Sequence, residues 1–545
     1  MRFQTSAVAR GCLSLVVVAS VLLALSSFLA LPAEARTGAW SQPILLSTGQ
    51  PLSWFPAITT DIYGNVHVVW NSSDQKILVA PKPGESKRLT EDASWLYYTE
   101  WNGQRWSAPT NIEAAVPATI AVRSALVADH SGQLDLIYRG LNMAAPNVGQ
   151  AEDLRFSTVN ATRAGAAINW SSGLSLNRRT PAYFPTLAVD SRGWLHTVWT
   201  EYDGVSGFQV YYSRSSDGGK TWSLPTSLED VRSAYYFRLQ LKVGPRDDLH
   251  VVWEVVDPAK ALDWAPPILG FVYAQSLDHG TTWSKTSFVP SETTEQPLGS
   301  DPSTTEKPSY MPQQPAIGID GTGQVLLIWK NSASNVIYFQ RSADGSHWSA
   351  PEPVPGIAAG IARPFDQYDT ATDSAGHVHL VTVGYRTGSK TLSLLHSEWD
   401  ESRWSAPDVV ANAPPYPEWP RIAIANGNRL HVVWFDGDSI EISRTPIDIR
   451  YSTAESSAPF VNPARPPPAP RATAVVSSLS PPVDAIPDDG RSRALTALQS
   501  SGTPASAAGS NPTRDNAIIV LALSLGVSCL LVAVAYGLRR SRLIR

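Results

Sequence analysis

Short apolar runs and polar turns alternate along this chain in an order that keeps returning. The copies read "PAITTDIYGNVHVVW" (56–70), "RSALVADHSGQLDLIY" (123–138), "PTLAVDSRGWLHTVW" (185–199), "RLQLKVGPRDDLHVVW" (238–253), "PAIGIDGTGQVLLIW" (315–329), "YDTATDSAGHVHLVT" (368–382) and "PRIAIANGNRLHVVW" (420–434). Each predicts an apolar strand, a Gly or Asp turn, and a second strand that in most copies ends on an aromatic residue. Placing His67, Asp135, His196, His250, Leu326, His379 and His431 at one position spaces the copies 52 to 76 residues apart.

A second pattern follows the first. "YYTEWNGQRWSAP" (97–109), "YYSRSSDGGKTWSLP" (211–225), "VYAQSLDHGTTWSKT" (272–286), "IYFQRSADGSHWSAP" (337–351) and "LLHSEWDESRWSAP" (394–407) each give a strand, a polar turn and a Trp that opens another strand. Four strands per unit at a period near 50 residues predict an all-β fold, a β-propeller. The count is seven four-stranded blades, with six or eight as alternatives. Unit 2 is degenerate around "RFSTVNATRAGAAINWSSG" (155–173), and unit 7 lacks its Trp strand after "IDIRYSTAESSAP" (447–459). The segment "AWSQPILLS" (39–47) has the missing pattern, and pairing it there would close the ring and remove exposed edges.

The two ends of the chain read differently. Residues 1–35 have the form of a secretory signal peptide, with an apolar run from Cys12 to Leu31 and "AEA" at 33–35 as the cleavage site. Residues 36–454 are the propeller, and 455–515, rich in Pro, Ala and Ser, read as a flexible stalk. Residues 516–538 carry no charge from Ala517 to Leu538, enough for one C-terminal transmembrane helix, and 539–545 form a basic tail. Basic flanks stay on the cytoplasmic side, so the expectation is a single-pass membrane protein with its propeller at the cell surface.

Composition sharpens this reading in two respects. The only two cysteines, Cys12 and Cys529, fall in the signal and the span, so the propeller must be held by its apolar core. A formal net charge of −5 without a basic block in 36–455 excludes nucleic acid as the expected partner.

Two turns share the pattern S-x-D-x-G-x-T-W: Ser215, Asp217, Gly219 and Trp222, then Ser276, Asp278, Gly280 and Trp283. An Asp in such a turn accepts hydrogen bonds from its own backbone, Gly takes a φ other residues resist, and Trp packs on the sheet. These eight residues are therefore expected to be structural. The recurring His67, His196, His250, His379 and His431 are read as packing or hydrogen-bonding elements, because equivalent positions spread around a ring do not converge on one metal ion. No metal and no cofactor are expected.

The S-x-D-x-G-x-T-W turns resemble the Asp-box, or BNR, repeats of sialidases (neuraminidases) and related propellers, and the looser versions at 342–348, 399–404 and 101–106 extend the resemblance over about 40–455. It implies a sialidase-like propeller whose Asp-box turns lie on the face opposite the active site. Sialidases hold the substrate carboxylate with three Arg and use a Tyr nucleophile with a Glu and an Asp acid/base. Their first Arg lies in an R-I-P motif; here Arg123 is followed by Ser124 and Ala125. Arg238 and Arg363 could complete a triad, Tyr183 or Tyr368 could serve as nucleophile and Glu418 as its partner. No catalytic residue is assigned.

Function in a propeller belongs to the axial mouth, where the inner strands begin. Those starts hold Arg123, Arg238, Asp366 and Glu418 among Trp54, Tyr183, Tyr236 and Trp419, with Arg363 just before them. Aromatic faces beside guanidinium groups suit a sugar; a blander account has the aromatics plugging the channel and the arginines paired with Asp366 and Glu418. Long insertions after Trp70, after Trp253 and between units 4 and 5 favour a ligand or partner. Three readings follow: recognition of a glycan or surface ligand at the mouth, an active exo-sialidase or other glycoside hydrolase, and a protein-binding surface scaffold. Sequons stand at Asn71, Asn160 and Asn169.

Overall fold

The structure is a computed structural model, and it describes residues 38–50, 52–73, 94–112, 122–141, 152–177, 182–202, 208–228, 234–256, 268–288, 312–331, 336–359, 368–437 and 446–464. The signal peptide, the stalk from 465, the span at 516–538, the basic tail and the middle parts of the three long insertions lie outside these residues. Among the described residues no helix is long and apolar enough to cross a membrane.

The described chain is all-β and folds into antiparallel four-stranded units, an arrangement compatible with a propeller. Six units are built from consecutive strands: 53–111, 122–175, 182–227, 234–288, 312–359 and 368–412. The seventh has three strands of its own between 416 and 455, and its fourth is Ile44–Leu45, paired antiparallel with Arg450 and Tyr451. Short backbone links, Phe208 to Ala234 and Ile357 to Arg386, join units 3 and 4 and units 5 and 6 edge to edge. The first strand of each unit lies against the first strand of the next, and the one at 416–425 lies against the one at 53–60, so the ring closes.

Both faces of every sheet are covered, which explains why the strands read as nearly continuous apolar runs. In unit 1, Val66, Val68 and Trp70 pack toward Val433, Phe435 and Tyr451 of unit 7, whereas Val69 and Tyr98 pack toward Leu134 and Leu136 of unit 2. The Trp ending the second strand is interior: Trp70, Trp199, Trp253 and Trp434 are buried, and Trp70, Trp199 and Trp329 stack on Tyr97, Tyr211 and Tyr338 of the adjoining strand at 6.0, 6.1 and 5.0 Å.

The Trp after each third strand does something else: it crosses to the preceding unit. Trp106 meets Tyr451 at 4.8 Å, Trp222 meets Phe156 at 5.2 Å, Trp283 meets Tyr212 at 5.0 Å, Trp348 meets Tyr273 at 5.0 Å and Trp404 meets Phe339 at 5.7 Å. In degenerate unit 2, Trp170 is carried by a short 3₁₀ insertion, donates Nε1–H to the Ala164 carbonyl (2.9 Å) and reaches Tyr98 at 6.3 Å. In unit 7 the residue is Trp40, edge-on to His396 at 5.3 Å. Every seam therefore has one such pair.

The polar turns are held as their composition predicts. Asp217 Oδ1 accepts from the Ser215 hydroxyl (2.8 Å) and the Thr221 N–H (2.9 Å), and Oδ2 from the Thr221 hydroxyl (2.6 Å). These bonds, the Thr221 hydroxyl first, hold the carboxyl down at about 2, so it works as an acceptor only. Asp278 is bound in the same way by Ser276, Thr281 and Thr282. Gly280, at φ +83°, lies so close to the Tyr212 hydroxyl that a side chain would collide with it.

The recurring histidines are interior hydrogen-bonding groups. Nδ1 of His67, His196, His250 and His431 meets the hydroxyl of Tyr98, Tyr212, Tyr273 and Tyr451 at 2.6 to 2.8 Å, and His379 meets His396 at 2.9 Å. Units 2 and 5, where the third-strand ring is Phe156 or Phe339, have Asp135 and Leu326 instead of His.

The chain does not leave the ring at 455, where the stalk was expected to begin. Residues 456–464 run across the end of the ring that carries the turns between first and second strands. Ser456 donates its hydroxyl to Asp373 Oδ2 (2.9 Å), and the N–H groups of Val461 and Ala464 reach the carbonyls of Asn426 (2.8 Å) and Ile62 (2.7 Å). The segment thus ties units 7, 6 and 1 together.

Two predictions follow from this packing. Trp40→Ala is expected to cost about 2–4 kcal/mol in denaturant unfolding, as Trp283→Ala should, by the usual cost of truncating a packed ring; an unshifted midpoint for Trp40→Ala would mean that the N-terminal strand does not close unit 7. Burial, and then the Arg429 charge, hold His431 down at about 3. Its folded value lies below the unfolded ~6.5, so its contribution is complete above pH 6.5 and is lost as pH falls from there toward 3, by about 3 kcal/mol at pH 4.5. Melting curves of His431→Phe should show a shallower acid slope than wild type over that window.

Candidate functional site

The first strands of all seven units surround an axial cavity of about 520 Å³. Its wall is mostly small or branched apolar residues, with three charged side chains: Lys242 from unit 4, Asp369 from unit 6 and Arg421 from unit 7. Lys242 Nζ lies 3.1 Å from Asp369 Oδ1 and donates to the Thr370 carbonyl at 2.7 Å, while Asp369 Oδ2 accepts the Ile422 N–H at 3.2 Å. Burial pushes the Asp369 carboxyl up, but Lys242, Arg421 and the Ile422 N–H outweigh it, and the group stays below the usual carboxylate range. Arg421 lies over the Trp419 ring at 4.0 Å, which brings a cation and an aromatic face to one wall.

At the mouth, the inner strands are bulged. The register of the first and second strands slips between Trp54 and Ala57, Tyr183 and Thr186, Gln313 and Ala316, and Glu418 and Arg421. Phe55, Gln314 and Trp419 take φ of 49°, 54° and 54°, a conformation bulky residues rarely adopt. The Pro that follows each of them in "WFP", "QQP" and "EWP" has no N–H for the ladder, so the slip sits where a donor is already missing. Glu254, buried on the second strand of unit 4, accepts the Gln314 N–H at 2.7 Å and braces one bulge from the neighbouring unit.

The structure brings some of the expected site residues together. Trp54, half-buried, stacks on Phe55 at 5.2 Å; Phe55 meets Trp419 at 5.0 Å; Glu418 is buried one residue before Trp419. Phe55 thus links Trp54 of unit 1 to Trp419 of unit 7 at their seam. Tyr183 sits elsewhere, buried at the seam of units 2 and 3 beneath the Arg139 guanidinium at 4.2 Å and edge-on to Phe208 at 5.5 Å. The strands at 122–128 and 234–243 carry Arg123, Tyr236 and Arg238, whose side chains lie outside the description, as do Arg363 and Asp366 altogether.

Tyr183 and Tyr368 were the candidate nucleophiles. Neither Tyr183 nor Tyr368 lines the cavity: one is covered by Arg139, and the other donates its hydroxyl to the Gln314 carbonyl. Among the described residues the cavity wall contains no tyrosine and no histidine.

Sequence reasoning missed Lys242, Asp369, Arg421 and Arg139. Their available signal was a charge inside an otherwise apolar strand, "RLQLKV", "YDTAT", "PRIAIA" and "LIYRG". Of the sequons, Asn71 is buried, Asn160 spends its Oδ1 on Thr162 (3.1 Å to N), and Asn169 is exposed.

No protein-family model matches this chain, and no curated protein sequence does. Solved structures similar to it include a protein of unknown function from Dyadobacter fermentans, 15% identical over 77% of this chain and 99% of that one, with a TM-score of 0.45. Also similar are the NanB sialidase of Streptococcus pneumoniae, 14% identical over 75% and 69% with a TM-score of 0.38, and the polysaccharide lyase Uly1, 11% identical over 77% and 99% with a TM-score of 0.47. The neighbours thus include sialidases and polysaccharide lyases, at likenesses too low to carry an activity across.

Proposed function

We propose that this chain is a sialidase-like, seven-bladed propeller held at a membrane by residues 516–538, and that it recognises a glycan or other surface ligand at its axial mouth. The observation that carries the reading is a cavity of about 520 Å³ with Arg421 on its wall over the buried Trp419 ring, and half-buried Trp54 stacked on buried Phe55 at the start of the neighbouring inner strand. An aromatic surface beside a few fixed polar groups is the usual composition of a ligand site. The bulges supply a reason for the strain, since re-aiming side chains at a rim is what such irregularities do.

Geometry of the two ends supports display. The chain's last described residue, Ala464, bonds to Ile62 in a turn between first and second strands, the end opposite the mouth. A stalk continuing from there leaves the mouth facing away from the membrane.

Full-length protein should bind a subset of a glycan array without turning over a fluorogenic sialoside. Trp54→Ala and Arg421→Gln should each weaken that binding about tenfold, or about 1.4 kcal/mol, in samples shown by melting to remain folded at the assay temperature. Sialoside turnover abolished by Arg123→Ala would replace this reading with the hydrolase, and binding insensitive to both substitutions would move the ligand to the long loops and favour the protein-binding scaffold.

A further inference from the structure

Both ends of the chain touch unit 6, and unit 6 is the one whose seam ring is a histidine. The ring that a third strand offers to the following Trp is Tyr98, Phe156, Tyr212, Tyr273, Phe339 or Tyr451 elsewhere; in unit 6 it is His396. Trp40, from the N-terminal segment that completes unit 7, covers His396 edge-on at 5.3 Å. Ser456, where the C-terminal segment starts across the ring, donates its hydroxyl to Asp373 Oδ2 at 2.9 Å, and that oxygen lies 3.0 Å from Nε2 of His379. His379 Nδ1 in turn lies 2.9 Å from Nε2 of His396, with the two rings stacked at 5.2 Å. A buried line of polar groups thus runs from the C-terminal segment to the ring that the N-terminal one covers.

The protons along this line have a direction. Asp373 Oδ1 already accepts the N–H groups of Ala375 and His377, both at 3.0 Å. Burial pushes its carboxyl up, but the bonds from His379, His377 and Ser456 outweigh it and hold the group below the usual carboxylate range. A carboxylate offers only lone pairs, so His379 donates from Nε2, and Nδ1 of the neutral ring accepts the Nε2–H of His396. His396 is left with its own lone pair on Nδ1, in a side chain with no exposure, and that atom has no hydrogen-bond partner. The tyrosines of units 1, 3, 4 and 7 meet the second-strand His at the same place and leave no base behind. The histidine of unit 6 does.

The charges around His396 are spent elsewhere or too far away to hold a proton there. On the fourth strand of unit 6, Asp408 Oδ2 is 4.0 Å from Nδ1, beyond hydrogen-bond reach and half-exposed to water that screens it. On the strand of His396 itself, Glu398 lies 2.7 Å from His377. In unit 7, Asp436 is paired with Arg450 at 2.7 Å and Glu455 with Arg429 at 3.1 Å. The second strand presents His379, and the segments 38–47 and 456–464 contain no charged residue. Burial first, and His379 second, hold the His396 imidazole well below its ordinary range. Once Trp40 leaves, the ring meets water and returns toward about 6.5. The closed form therefore excludes a proton that the open form takes, so this contribution to closure is complete above about pH 6.5 and is lost as pH falls below it.

We propose that His396 makes the ring closure an acid-sensitive latch, in which proton uptake at Nδ1 frees the N-terminal segment 38–47 from units 6 and 7. Backbone bonds from Gly38, Ser41 and Leu46 hold that segment on the strand 446–455. Its departure lays open the outer edge of that strand, and an uncovered edge accepts another strand. The latch thus gates a sheet edge that the chain's own start keeps covered, and it is independent of whatever binds at the mouth.

The test follows backbone hydrogen exchange of the full-length protein by mass spectrometry between about pH 7.5 and about pH 5, with the intrinsic pH dependence of exchange divided out. In wild type, opening of 38–47 should grow about tenfold per pH unit below about 6.5, one proton being taken up by His396 per opening. The second strand of unit 5, Val325–Asn331, where Leu326 replaces the His, is the internal reference and should not follow it. His396→Tyr restores the ring used by unit 7, and His396→Gln keeps an N–H for His379 Nδ1. Neither has a group at 396 that titrates in this range, so both should be shallower than wild type at 38–47 by about tenfold per pH unit. Melting at neutral pH shows which variant is folded, and either one suffices. Wild-type protection at 38–47 that is flat with pH, that falls only together with the reference strand, or that falls no more steeply than in a folded variant would overturn the proposal.

Discussion

The structure depends on one repeated contact: the Trp that follows each third strand, set against the third-strand ring of the unit before it. Aromatic pairs of this kind contribute about 0.5–1.5 kcal/mol beyond the area they bury. Their larger effect is on order, because each unit must present both a Trp behind and a ring ahead. That requirement accounts for the pairing of second- and third-strand residues. Where the ring is Tyr98, Tyr212, Tyr273 or Tyr451, burying it strands a hydroxyl, and a second-strand His takes the hydrogen bond. Where the ring is Phe156 or Phe339, the hydroxyl is gone and so is the His. Unit 6 solves the same problem with His396 against His379. Closure then follows from the same rule: the ring of unit 6 has no Trp from the C-terminal side to cover it, and Trp40 brings one from the other end of the chain.

What the sequence made legible is whatever the seams force to recur. The Trp, the His and the Asp turns sit at fixed offsets because each seam poses one packing problem, and even the N-terminal strand could be found by its likeness to the strands it replaces. Functional groups carry no such signal. Lys242, Asp369 and Arg421 come from units 4, 6 and 7 and meet only across the axis, so nothing local marks them as a cluster. Arg139, on the second strand of unit 2, covers Tyr183 of unit 3, a pairing that no local pattern marks. Residues 456–464 were misread for a related reason: Pro and Ser suggested a solvated stalk, but the segment is held by backbone hydrogen bonds, which leave little trace in composition.

The two ends of the ring divide the work. At one end the Asp turns are closed by their own hydrogen bonds, and adjacent turns approach so closely that the Gly321 N–H bonds to the Gly376 carbonyl. At the other end the inner strands slip register, and Phe55, Gln314 and Trp419 hold conformations that cost energy. Such strain persists only where the surroundings over-determine it, and here the surroundings are second strands of the rigid scaffold, with Glu254 holding one bulge directly. A stiff base with a strained rim lets side chains at the rim vary without altering the seams.

That division bears on how the ring could stand being tethered. A pull on the chain beyond Ala464 would otherwise act straight along the strand 446–455, whose outer edge is covered by the N-terminal segment through Ile44–Leu45 and backbone bonds from Gly38, Ser41 and Leu46. The segment 456–464 intervenes. Its bonds to Asp373, Asn426 and Ile62 spread the force over units 6, 7 and 1, across the closure seam rather than along it. Hydrogen bonds loaded together in parallel share the force, whereas a strand peeled from its edge loses them one after another. The junction made from the two ends of the chain is therefore bridged by the part of the chain that would first feel the load.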